Sequence, residues 1–113
     1  MRVLVLVTAI LGLITGPVFA GAREKRNAMH HIATVLAIAK LCPALESDNM
    51  AGALVLTMHG IRLGGPDGEL VRADARQQIA DLEKEDRDGV CASGILLYGP
   101  NGLNVPGMVR EKK

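Results

Sequence analysis

The sequence has almost no aromatic residues. It holds no tryptophan, one tyrosine and one phenylalanine among its 113 residues. Each aromatic ring buries about 150–250 Å² in a protein core, so the core of this chain has to be built from small aliphatic side chains. A small domain with so thin a core commonly depends on a covalent cross-link for its stability.

An excess of charge of either sign is also missing. The chain has 13 Lys and Arg against 12 Asp and Glu. Arg2 is the only charged residue among the first 22, so the remainder has 12 of each sign and a formal charge of zero. A protein that binds nucleic acid or an anionic membrane surface needs a basic patch. The composition therefore argues against a nucleic acid or a membrane surface as the partner.

The N-terminus has the layout of a secretory signal peptide. Arg2 precedes an apolar run over residues 3–14, after which Gly16, Pro17 and small residues follow. The small side chains allow cleavage after Ala20 or Ala22. The run has 12 residues, fewer than the roughly 20 that span a bilayer as a helix. We therefore predict a signal peptide over 1–22, no stable membrane anchor after cleavage, and one exported, periplasmic domain over 23–113.

The chain contains only two cysteines, Cys42 and Cys91. An even number of cysteines in a short exported chain favours a disulfide, and two cysteines allow one intramolecular pairing. Reactive or intermolecular thiols and a metal site are the alternatives, but there is no Cys-x-x-Cys motif and no paired histidine motif to complete a zinc site. We expect a structural Cys42–Cys91 disulfide, with no cofactor and no metal.

Hydrophobic periodicity predicts an all-α fold, a small bundle of about four short helices with an irregular C-terminal tail over the core. Asn27, Asp48 or Ser47, and Asp88 are candidate N-caps, and Gly60 is a candidate C-terminal cap. A short strand remains an alternative for the second segment because Val55 and Thr57 are β-branched. The predicted helices are Glu24–Leu41, Ser47–His59, a third from Glu69 or Val71 to Asp86, and Asp88–Tyr98; residues 61–70 are expected to be a loop.

Apolar stripes predict which side chains face the core. In the first helix they are Ile32, Val35, Leu36 and Ala39. In the second they are Leu54, Val55 and Met58. The four-residue rhythm of Met50, Leu54 and Met58 favours a helix here, and we expect its methionines to fill gaps in the core. In the third and fourth helices the predicted inward positions are Ala75, Ile79, Leu82, Val90 and Ile95.

Candidate catalytic residues lack the partners that catalysis needs. His30 and His31 are adjacent, so on a helix they point about 100° apart and cannot readily bind one metal. Ser93 has no Gly-x-Ser-x-Gly around it, and His59 stands alone near a helix end. The GGPDG segment lacks the P-loop lysine and is expected to be a turn. We predict that the protein is not an enzyme.

The placement of the two cysteines resembles that of small helical periplasmic proteins of Gram-negative bacteria. Cys42 follows the first helix in Leu41-Cys42-Pro43, and Cys91 lies near the chain end in Val90-Cys91-Ala92. This layout is similar to the HdeA/YmgD type, which implies a compact helical fold with one disulfide. Proteins of the HdeA type are acid-stress chaperones that open at low pH and expose apolar surface.

The sequence therefore predicts an exported, periplasmic, non-enzymatic protein that binds another protein, with a stress chaperone as the more specific form. An immunity or inhibitor protein against a secreted toxin is the alternative from another class. A minor hydrolase would require a solvent-lined cleft containing His59 or Ser93. A thin core also leaves a homodimer open.

Overall fold

The computed structural model describes the backbone of residues 2–113 and the side chains of residues 21–113. Within them the fold is a small helical bundle with one disulfide, as predicted, to which a two-stranded sheet is added. The signal-peptide prediction lies outside the described side chains, apart from Gly21 and Ala22. The elements are α1 Arg2–Leu41, β1 Leu45–Ser47, α2 Asn49–Met58, α3 Pro66–Leu82, α4 Arg87–Tyr98 and β2 Val109–Glu111.

Helix α1 is the centre of the bundle. It begins before Glu24, where the sequence predicts its start, and ends at Leu41 as predicted, ahead of Pro43. Because α3 and α4 both pack on it, its buried side chains occupy more than one stripe. The prediction for Leu36 is wrong, since this side chain lies at the surface. The buried residues of α1 are Ala28, Ile32, Ala33, Val35, Ala37, Ile38 and Leu41.

Helix α3 runs parallel to α1, with polar contacts along the seam. Partner positions increase together along both helices, which sets the parallel direction. The inward positions of α3 are as predicted, with Ala75 buried and Ile79 and Leu82 packed on the core. The seam contacts are Lys25 Nζ–Asp67 Oδ2 at 2.9 Å, His30 Nδ1–Asp74 Oδ2 at 2.8 Å and Thr34 Oγ1–Gln78 Oε1 at 2.7 Å.

Helix α4 runs antiparallel to α1 and is joined to it covalently. Cys91 is bonded to Cys42, with their Cα atoms 5.8 Å apart. One turn further on, Gly94 faces Ile38 so closely that a Cβ atom there would lie 2.8 Å from Ile38 Cγ2. The disulfide confirms the pairing predicted from the cysteine count. It is typical of proteins that meet an oxidising environment after export.

The predicted boundaries of α3 and α4 are partly wrong. Helix α3 begins at Pro66, inside the predicted loop, because proline is well suited to a first helical position, where no backbone N–H is needed. It ends at Leu82 rather than Asp86. The side chain of Asp86 instead accepts a hydrogen bond from the Gly89 N–H, so Asp86, not Asp88, is the N-cap of α4.

The C-terminal tail is more ordered than the sequence predicts. It covers the core, as predicted, through the buried side chains of Met108 and Val109. Residues 109–111 form β2, which pairs antiparallel with β1, and the Lys112 N–H donates to the Ala44 carbonyl. The backbone of residues 109–112 is therefore held by this short ladder. Leu103 lies at the surface.

Among the described residues, no helix combines the length and the apolar character needed to cross a membrane.

Candidate functional site: the exposed face of helix α2

Helix α2 is set by signals at both ends. The Ala51 N–H donates to Asp48 Oδ1 at 3.0 Å, which makes Asp48 the N-cap. Gly60, just beyond the helix, has φ of 64°, a left-handed conformation that favours glycine. These caps decide between the predicted helix and the alternative strand, in favour of the helix, despite the β-branched Val55 and Thr57.

Helix α2 is only partly buried against the rest of the protein. None of its residues is fully buried. Ala51, Val55 and Leu56 are half-buried and form the contact with the core. The contact surface below them is provided largely by α1 and by Met108 of the tail, which lines the grooves on both sides of α2.

The opposite side of α2 presents large apolar side chains to solvent. Met50 is 84% exposed, Leu54 62% and Met58 70%. These three residues, with Ala53 and Thr57 beside them, are called the α2 face below. The predictions that the methionines fill the core and that Leu54 faces it are wrong, whereas Val55 packs on the core as predicted. The four-residue rhythm marks a real helical face, but α2 is apolar on both sides, and Ala51, Val55 and Leu56 occupy the inward one.

The α2 face carries no charge. No Asp, Glu, Lys, Arg or His occurs from Asn49 to Met58. Single exposed apolar side chains are ordinary on protein surfaces, but a contiguous uncharged row of them is typical of an interaction site. The absence of charge is the sequence signal that would have identified this face, because a helix that only covers a core normally has a charged outer side.

An ionic cluster anchors the start of α2 to the C-terminal strand. Arg110 Nε lies 2.9 Å from Glu46 Oε1, and Arg110 Nη1 lies 3.0 Å from Asp48 Oδ2. The backbone hydrogen bond from Ala51 holds the pKa of Asp48 below its usual value, and Arg110 adds to this effect. The hydrogen bond to Glu46 in turn raises the pKa of Arg110. Asp48 therefore links the helix cap to the β1–β2 ladder.

The two adjacent histidines point to different helices, as their spacing predicts. His30 contacts Asp74 of α3, whereas His31 Nδ1 lies 2.8 Å from the hydroxyl of Tyr98 in α4. Burial lowers the pKa of His31, and the neighbouring His30 lowers it further. The sequence did not reveal the His31–Tyr98 contact, because it depends on how α4 lies against α1.

The other candidate residues are not brought together. Ser93 lines a cleft between α1, α3 and α4, whereas His59 lines a groove beside α2 that also contains Glu24 and His31. Neither side chain makes a hydrogen bond within residues 21–113 of the kind a nucleophile and its base would share. In the same residues, no cluster of three or more His, Cys, Asp or Glu is arranged to hold a metal ion.

The chain matches no protein-family model, no curated protein and no solved structure.

Proposed function

We propose that this protein works in the periplasm as a non-enzymatic binding protein of stress-chaperone type. In this proposal the α2 face binds apolar segments of other exported proteins that are incompletely folded. The observation that carries the proposal is the exposure of Met50, Leu54 and Met58 on a helix without charge. Transfer of such a surface from water to an apolar contact is favourable by roughly 25 cal/mol per Å².

The chemistry of the α2 face favours varied partners over a single tight one. Methionine side chains are flexible and polarisable, and they recur on surfaces that bind many different sequences. Two of the three large side chains of the face are methionines. An immunity protein would gain specificity from charges arranged against one toxin, and the α2 face has none to offer.

Acid should increase this binding. Because the pKa of Asp48 is lowered in the folded protein, its carboxylate stabilises the fold above its usual pKa of 3.8, and this contribution is lost as the pH falls through the lower folded value. Protonation weakens the N-cap of α2 and removes the ion pair with Arg110. In addition, protonating the carboxylates leaves the whole protein with a net positive charge, and these positive charges repel one another. We expect α2 to loosen and its inward apolar side to become accessible.

A direct test uses carboxymethylated α-lactalbumin, which stays unfolded without a reductant and so leaves the Cys42–Cys91 bond intact. We expect the oxidised protein to bind it, more tightly at pH 3 than at pH 7. Leu54→Lys should weaken this binding at least tenfold, because burying one unpaired charge costs more than 1.4 kcal/mol. Leu70→Lys is the matched control, since Leu70 is 61% exposed but lies on α3 among charged residues.

Two outcomes would contradict the proposal. One is equal weakening by Leu54→Lys and Leu70→Lys, which would show no special role for α2. The other is the absence of binding together with a dimer that Leu54→Lys dissociates, measured by analytical ultracentrifugation. That result would assign the α2 face to a second copy of the chain.

A further inference from the structure

The cleft that Ser93 lines, where α1, α3 and α4 meet, is a largely apolar cavity. Its volume is about 350 Å³, within the range of roughly 300–1,000 Å³ that is usual for ligand sites. The apolar wall is formed by Ile38, Leu82, Val90 and Leu97. No residue of α2 lines it, so this cleft, called the α4 cleft below, is separate from the α2 face.

The α4 cleft exists because α4 carries small residues at one end of its contact with the bundle. Gly94 touches Ile38, which brings the two helices close together. Gly89 and Ser93, one turn apart, line the open part of the cleft. A Cβ atom on Gly89 would meet only Asp86 of its own helix start and no atom of α1 or α3. The space beside Gly89 is therefore open toward α1 and α3 and leaves room for a side chain.

The rim of the α4 cleft is negatively charged. Glu85 and Asp86 line it, and no Lys or Arg does. Asp86 uses one carboxylate oxygen, Oδ2, to cap α4. Glu85 takes part in none of the ion pairs found among residues 21–113. The surrounding segment 81–88 has five acidic residues against two basic ones, so the field at the rim favours a cation.

We infer that the α4 cleft binds a segment of a partner protein in which an aliphatic side chain lies beside a lysine or arginine. The aliphatic group would contact the wall formed by Ile38, Val90 and Leu97, and the cation would lie near Glu85. This combination of an apolar wall and an acidic rim selects for charge, which the α2 face does not. The inference is independent of the proposed function, because the two surfaces share no residue.

The experiment is a titration of the oxidised, ¹⁵N-labelled protein with two blocked peptides, acetyl-GLKLG-amide and acetyl-GLELG-amide. We expect the lysine peptide to shift the backbone amide signals of Gly89, Ser93 and Gly94, and the glutamate peptide to bind more weakly. Glu85→Gln should weaken binding of the lysine peptide about two- to fivefold, the effect of removing one exposed ion pair. Glu83→Gln is the control, since Glu83 is exposed but does not line the cleft.

A second pair of variants tests the cavity itself. Ser93→Leu fills the α4 cleft from an exposed helical position and should abolish peptide binding. Ala92→Leu makes a similar change at the next residue, outside the cleft, and should leave binding unchanged, as should Leu54→Lys in α2. The inference is wrong if the lysine peptide causes no shifts, if both peptides bind equally well, or if Ser93→Leu binds like the wild type.

Discussion

At the scale of single residues, the contact between His31 and Tyr98 joins side chains that are 67 residues apart in the sequence. The Tyr98 side chain is 2% exposed, and its hydroxyl has its polar partner in His31 Nδ1. Tyr98→Phe keeps the ring and removes only the hydroxyl. We expect the free energy of unfolding to fall by about 0.5–1.5 kcal/mol, as measured by urea denaturation followed by far-UV circular dichroism. An unchanged midpoint would show that the hydrogen bond adds nothing.

The same pair makes stability depend on pH. Burial holds the pKa of His31 below its ordinary value of 6.5, so the unfolded chain binds this proton more readily than the folded one. The contribution of neutral His31 is therefore present above pH 6.5 and is lost as the pH falls through the lower folded value. His31→Gln should flatten the decline of unfolding free energy between pH 7 and pH 5. His59→Gln is the control, and an equal flattening there would contradict the assignment.

At the scale of the elements, the approach of α4 to α1 is limited by Gly94. Gly94→Ala would press a methyl group against the β-branched, buried Ile38, and such overpacking costs about 1–3 kcal/mol, partly offset by the higher helix propensity of alanine. Gly89→Ala, on the same helix, would place a methyl group only against Asp86 at ordinary contact distance and should instead stabilise the fold by up to about 1 kcal/mol. Thermal unfolding of both variants measures the difference, and equal effects would disprove the close contact.

The sequence predicts elements better than it predicts which of their faces are covered. The helix ends at Leu41 and Tyr98 and the cap at Asp48 are local signals, and all of them are confirmed. The cap at Asp86 was misassigned because Asp86 and Asp88 offer the same local chemistry. The exposure of Leu54 could not be predicted from the four-residue spacing of apolar residues. A helix that is apolar on both its inward and its outward face shows this spacing on each of them. Strand β2 depends on a pairing with Leu45–Ser47, about 60 residues away, and short strands carry little periodicity.

At the scale of the whole molecule, the Cys42–Cys91 bond compensates for the scarcity of aromatic rings in the core. The cysteines are 49 residues apart. Closing a loop of that length lowers the conformational entropy of the unfolded chain and so raises its free energy by roughly 4 kcal/mol. Replacing both with alanine, as Cys42→Ala and Cys91→Ala, should lower the free energy of unfolding by about 2–5 kcal/mol. Urea denaturation measures this loss against the oxidised wild type. Equal stabilities would contradict the view that the core depends on its cross-link.

Contact by the α2 face is the central claim, and photo-crosslinking tests it most directly. A benzoylphenylalanine placed at position 54 of the oxidised protein is irradiated in the presence of carboxymethylated α-lactalbumin, and the same amino acid at position 70 is the control of equal exposure. We predict a covalent adduct from position 54 and little or none from position 70. Equal adduct yields from the two positions, or adducts from position 70 alone, would contradict binding through α2.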